Sequence, residues 1–191
     1  LDSAQADIHN ELRGVNCFDH VMKSIKVAKS LGERPDILFT VHQENIDEID
    51  AIYKQVCLPN DLVLIINPIF DYNGVESHGG LSLSNLEILR KWGKKKNVFL
   101  NDAFLELRKD GGNHIKKPIC KAGTSTVVIT PENKLSVPCY HLSKKEFRID
   151  GKLYELFHSL EVSNLRKEEG VLPACEGCSV NCYMQPSFTV N

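Results

Sequence analysis

At 191 residues, 42% of them apolar and 25% charged, the chain is long enough to bury a hydrophobic core and has the make-up of a globular fold. A net charge of −2 gives no electrostatic case for nucleic acid or an anionic membrane surface as partner. No stretch is apolar for long enough to cross a bilayer; the most apolar run, residues 62–70, is interrupted by Asn67 and Pro68.

In chain order, residues 7–12 predict a short helix stopped by Gly14. Phe18, Val21, Met22, Ile25, Ala28 and Leu31 recur at helical spacing, with Gly32 as the stop. Residues 36–42 predict a strand, with His42 at its end. Asn45 and Glu48 predict a capping box opening a helix through Val56. Residues 61–66 are apolar nearly throughout, as in a parallel strand covered on both faces. The loop over residues 68–81 carries Gly74, Gly79 and Gly80. Ser84 with Glu87 predicts a helix cap, and Lys94, Lys95 and Lys96 suit that helix's C-terminal end. A weak strand over residues 97–100 and a helix to Lys109 follow, ending at Gly111 and Gly112. Strand and helix alternate here in the rhythm of a parallel sheet with right-handed crossovers. Three strands leave a raw sheet edge, which calls for a partner or for further strands.

Composition changes after Gly112. Residues 124–130 are rich in β-branched side chains, residues 131–134 form a turn signal, and residues 135–137 run back as a hairpin. Helices are expected over residues 153–160 and 162–169, and Pro173 breaks the chain before its last cysteines. Five of the seven cysteines lie in this part: Cys120 and Cys139 at the two ends of the hairpin, then Cys175, Cys178 and Cys182 as C-x-x-C-x-x-x-C. A hairpin and a tight knuckle bring thiolates from separate segments to one point, as a tetrathiolate metal site requires. Iron–sulfur and zinc both use such ligand sets, and the spacing alone leaves the choice open. An odd number of cysteines argues against a pure disulfide framework. With no export signal in view, the reducing cytoplasm is the expected compartment. Cys17 and Cys57 stand alone in helical patterns and are expected to be ordinary buried thiols.

The order L-D-S, H-N-E-L-R-G, a helix, F-T-V-H-Q-E-N-I-D-E-I and then L-I-I-N-P-I resembles the second half of a radical S-adenosylmethionine barrel. The segment from Cys120 through Gly123, the hairpin, Cys139 and the C-x-x-C knuckle resembles that family's auxiliary-cluster extension, called SPASM or, in shortened form, twitch. The resemblance implies an α/β fold. Residues 1–114 would form the second half of a partial (βα)6 TIM-like barrel, and residues 115–191 a small β-hairpin and helix SPASM/twitch domain holding one auxiliary 4Fe–4S cluster. The family's C-x-x-x-C-x-x-C and its glycine-rich second-strand motif are absent from this chain. The implied protein is therefore the C-terminal part of an oxidoreductase that, when intact, makes an adenosyl radical to modify a peptide or small-molecule substrate. It would draw electrons from a reductant such as flavodoxin or ferredoxin. The alternative is a non-catalytic zinc-binding α/β interaction module.

The resemblance also implies residue roles. Ser3 and Arg13 match positions that contact S-adenosylmethionine, where a guanidinium can bind a carboxylate bidentately. Asn67 stands at a strand's C-terminal end, where barrel enzymes place ligand contacts. The auxiliary cluster takes four ligands from Cys120, Cys139, Cys175, Cys178 and Cys182, and which four is left open. His42 at a strand end and His141 beside Cys139 are lesser candidates, for substrate and metal respectively.

Overall fold

A computed structural model describes residues 1–70, 81–142 and 144–190. The expected glycine loop falls largely outside them. The chain is a mixed α/β protein with two small sheets, neither closed into a barrel among the described residues. It divides into two compact units: Leu1–Ile69 with residues 81–105, and Phe70 with residues 106–190. No helix among the described residues is long and apolar enough to cross a membrane.

In the first unit, helices α1 (Ala6–Arg13) and α2 (Phe18–Ser30) precede strand β1 (Ile37–Val41). Gly14 ends α1 in the left-handed conformation, at φ +66°, and its N–H caps the helix on Asn10 and Glu11 carbonyls. Helix α3 (Glu48–Ile52) runs on through a π-helical stretch, Tyr53–Cys57, into the short α4 (Leu58–Asn60). Strand β2 (Leu64–Pro68), helix α5 (Leu83–Trp92) and strand β3 (Val98–Phe99) follow. The three strands form a parallel sheet in the order β1-β2-β3, with Phe39 opposite Ile66 and Thr40 opposite Asn67.

Burial alternates along β1 and β2. Phe39, Val41, Leu64 and Ile66 are buried, whereas Leu38 is exposed and Ile65 half-buried. The sheet is thus sealed on one face, by Ile49, Ile52, Val56, Leu86, Leu89 and Leu105, rather than on both as the apolar run suggested. Each fully buried side chain of this kind contributes about 1.5–3 kcal/mol. The run also starts later than expected. Asp61 takes the left-handed conformation at the end of α4, at φ +53°, so Leu62 and Val63 lead into the strand rather than belonging to it.

Two expected caps are replaced. Asn45 does not cap α3. Its carboxamide turns back to the end of β1, accepting from the His42 N–H at 2.8 Å and donating to the Thr40 carbonyl at 3.0 Å. The Glu48 carboxylate is taken by the Ser3 hydroxyl instead of closing a capping box. Ser82, not Ser84, caps α5, accepting from the Asn85 N–H.

Helix α6 (Asp102–Lys109) leads on from the first unit, and the second unit continues with a helical turn, α7 (Ala122–Ser125). It also holds an antiparallel sheet of β4 (Val128–Ile129), β5 (Lys134–Val137) and β6 (Lys145–Arg148). The expected strand over residues 124–130 is thus only two residues long. Thr124 and Ser125 donate backbone N–H bonds to the Lys121 carbonyl, and the Ser125 hydroxyl adds a third, closing α7 against the local β propensity. Strand β6 was not anticipated. Its sequence, K-E-F-R, is mostly charged, as suits an edge strand, and Lys145 and Glu146 pair with Glu161 and Lys134. Helices α8 (Leu153–Phe157) and α9 (Leu160–Arg166) cover the sheet through Val162, which packs with Leu135, Val137 and Ile149. A 3₁₀ turn (Pro173–Cys175) and helix α10 (Asn181–Val190) complete the unit.

Candidate metal centre

Four of the five clustered cysteines line one cavity in the second unit: Cys120, Cys139, Cys175 and Cys178. They come from three segments, before α7, after β5 and in the knuckle at the 3₁₀ turn. Ala122, Pro138, Leu142 and Val180 supply apolar wall. The cavity comprises about 420 Å³ of space not filled by atoms, its mouth included, of which about 20 Å³ could hold the centre of a water molecule.

Burial pushes the Cys120 thiol up to about 12, partly offset by the Ala122 backbone N–H and reinforced by the neighbouring Cys178, Cys175 and Cys139. Burial likewise raises the thiols of Cys139, Cys175 and Cys178. At neutral pH all four are protonated, so a metal must displace their protons to bind. The backbone is arranged to receive the resulting charge. The Leu142 N–H reaches the Cys139 sulfur at 3.3 Å, and backbone bonds at Ala122 and Val180 favour the thiolates of Cys120 and Cys178.

Cys182 lies close enough to Cys178 to help raise that thiol. Cys182 itself is exposed in the first turn of α10 and forms no part of the cavity wall. The knuckle does not itself open a helix; α10 starts only at Asn181, so Cys178 and Cys182 do not share a helix face. His141 does line the cavity, edge-on to the rings of Tyr140 and Tyr183, and burial lowers its pKa. Glu169 lines it too. Its Oε1 accepts from the Thr124 hydroxyl at 2.9 Å, while its buried Oε2 has no hydrogen-bond partner among the described residues. Leaving such an oxygen unmet costs about 1–3 kcal/mol.

Three side chains hold the cysteine segments together, and none was singled out from sequence. Asn113 is fully buried. Its Oδ1 accepts from the N–H groups of Ile119 and Cys120, at 3.1 and 3.2 Å, and its Nδ2 donates to the carbonyls of Gly170 and Cys175, at 2.8 and 3.1 Å. Its backbone N–H donates to the Cys178 carbonyl and its carbonyl accepts from Gly177. From α10, the Ser187 hydroxyl accepts from the Lys121 N–H at 2.7 Å and the Tyr183 hydroxyl from the Tyr140 N–H at 2.9 Å. These bonds anchor the chain beside Cys120 and Cys139. The glycines explain the close approach: a Cβ on Gly112, which lies at φ +90°, would come within 2.9 Å of the Gly177 Cα.

Among the described residues, no three His, Cys, Asp or Glu side chains are grouped as ligands of a single metal ion.

The other candidates lie in the first unit, which has an open cavity at the C-terminal ends of β1 and β2 with about 600 Å³ that could hold the centres of water molecules. Arg13 lines it and pairs with the buried Asp2. His42 lines it as well, its Nδ1 accepting from the Glu44 N–H at 3.4 Å. Ser3 is fully buried, its hydroxyl accepting from the Gln5 N–H and donating to Glu48. Asn67 is half-buried opposite Thr40, and the cavity wall at that strand end is Ile69. Cys57 is fully buried, as expected, and burial raises its thiol to about 11. Cys17 departs from expectation. It is half-buried at the N-terminal end of α2, its sulfur 3.5 Å from His9 Nε2. The Asp2 N–H donates to His9 Nδ1, so Nε2 carries the ring proton and faces the thiol.

Compared with protein-family models, with curated proteins and with solved structures, the chain finds no match in any of the three.

Proposed function

We propose that the second unit holds one 4Fe–4S cluster on Cys120, Cys139, Cys175 and Cys178, and that the chain is the C-terminal part of a radical S-adenosylmethionine enzyme. The observation that carries this reading is that these four thiols line a single cavity while Cys182 lies outside it. Four soft sulfur donors, backbone N–H groups directed at the sulfurs and an apolar wall suit a thiolate-bound cluster. The preference for a multi-iron cluster over a single zinc ion comes from the resemblance of these cysteine segments to the auxiliary-cluster extension, since both metals use such thiolate sets. When bound, such a cluster supplies one-electron chemistry. Four cysteine ligands leave no open iron, so electron relay is favoured over direct substrate binding.

The chain's own part is to hold and shield. The mainly apolar wall leaves little room for water, and the backbone N–H groups at Leu142, Ala122 and Val180 stabilise charge at the sulfurs. The three-stranded parallel sheet of the first unit, sealed on one face, supports reading that unit as the second half of a partial barrel. Arg13 and His42 line the cavity at its strand ends and would contact S-adenosylmethionine or a peptide or small-molecule substrate there. Ser3 has its hydroxyl committed to Gln5 and Glu48, and Arg13 has its guanidinium on Asp2, so cofactor contact by either would require giving up those partners.

The reading of the enzyme class is tested in the gene. A C-x-x-x-C-x-x-C encoded upstream of Leu1, in frame, is expected. A full reading frame lacking it would contradict the class while leaving the metal centre to be tested separately.

A further inference from the structure

The structure assigns Asn113 the role of positioning residue for the metal centre: its carboxamide fixes the Cys120 and Cys175 segments against each other in the metal-free chain. The inference rests on the cluster reading and deepens it.

A carboxamide offers two donors and two acceptor positions, and Asn113 uses all four while fully buried. Every partner is a backbone group next to or within the cysteine segments. Two are the N–H groups of Ile119 and Cys120, and two are the carbonyls of Gly170 and Cys175. The main chain of Asn113 ties in the third cysteine through Gly177 and Cys178. That main-chain bridge does not depend on the side chain, so a substitution here loosens Cys120 and Cys175 while leaving the knuckle attached. No other residue type meets the demand. Aspartate has no N–H for the two carbonyls, and leucine has neither donors nor acceptors. Glutamine sets the carboxamide one methylene farther from the backbone, out of register with these four groups. Groups that orient metal ligands from behind in this way matter nearly as much as the ligands, and their loss costs about 10–100-fold in metal affinity.

The test uses the 191-residue chain as wild type, Asn113→Ala, Asn113→Asp and Asn133→Ala. Asn133 is a control from the same unit. It donates to the Ile149 carbonyl and sits at positive φ, but touches no cysteine segment. In the metal-free chains, hydrogen exchange is read at the Ile119 and Cys120 amides, with Leu135 and Phe147 reporting that the hairpin sheet is folded. After anaerobic reconstitution, iron retention is titrated with a chelator. The expected result is that wild type and Asn133→Ala hold iron alike. Both Asn113 variants should lose it at about 10–100-fold lower chelator concentration. Asn113→Ala should also lose protection at Cys120 in the metal-free chain, while Leu135 stays protected. Asn113→Asp, which keeps the two acceptor bonds, gives the answer should Asn113→Ala fail to fold. Wild-type iron retention in either folded Asn113 variant would overturn the positioning role. A wild-type chain that takes up no iron would instead overturn the cluster reading beneath it.

Discussion

Gly112→Ala tests how the cysteine knuckle is held. Gly112 lies at φ +90°, and a Cβ there would come within 2.9 Å of the Gly177 Cα and closer still to the Gly177 carbonyl. Both obstacles are backbone, so no flexible side chain can swing aside. The left-handed conformation costs an L-residue about 1–2 kcal/mol. Forcing an extra carbon into a packed site adds about 1–3 kcal/mol. The expected loss is therefore about 2–5 kcal/mol, taken from the pairing of Asn113 with Gly177 and Cys178. Gly32→Ala is the natural reference. Gly32 has φ +82° but nothing within 4 Å of its Cβ position, so it should lose the conformational part alone, about 1–2 kcal/mol. Trp92, the single tryptophan, packs on Tyr53 in the first unit, so its fluorescence follows Gly32→Ala in denaturant. Hydrogen exchange at the Asn113 and Gly177 amides follows Gly112→Ala, with protection falling tenfold for every ~1.4 kcal/mol. Should Gly112→Ala cost no more than Gly32→Ala, the close backbone approach behind the metal centre is wrong.

Cys57 makes the metal-free chain pH-sensitive. Its thiol is raised from 9.0 to about 11 in the fold, so its contribution is fully present below pH 9 and is lost as pH rises through 11. Trp92-monitored denaturation should show that decline, and Cys57→Ala should flatten it; an equal decline in both would assign it elsewhere. Arg13→Met leaves the buried Asp2 without its guanidinium and should cost about 1–3 kcal/mol in urea unfolding, discounted because Arg13 is itself 49% exposed. No measurable change would mean that Asp2 is held by His9 and the backbone alone. Cys182→Ser should leave iron content unchanged, whereas Cys120→Ser should lose most of it. The reverse order would move the ligand set off the cavity.

The sequence carried most of the first unit, because periodicity of apolar residues and glycine stops are local signals. It placed α1, α2, β1 and β3 close to where they lie. It misplaced the cap of α3, since Glu48 is taken by Ser3, distant in sequence, and Asn45 turns back to the end of β1; it misplaced that of α5 by two residues, at Ser84 instead of Ser82. In the second unit the turn at residues 131–134 was plain, but α7 and β6 were not. Local hydrogen bonds to Lys121 overrode β-branched residues in one, and a charged edge strand carried no alternation in the other. The five cysteines stood out by spacing, yet spacing could not separate Cys182 from the rest. That took the fold, because the 3₁₀ turn and the start of α10 set which thiols face the cavity. Asn113 was invisible for a similar reason. After Gly111 and Gly112 it looks like part of a helix stop, and its role exists only through backbone groups brought from residues 119–120 and 170–178.

The most direct measurement is iron, zinc and acid-labile sulfide per chain, after anaerobic reconstitution of the Cys182→Ser protein with iron and sulfide, and separately with zinc. The account predicts iron and sulfide in equal amounts, about four of each, retained without Cys182 and lost with Cys139→Ser. Tight stoichiometric zinc with no retained sulfide would contradict it and make the centre a structural zinc site.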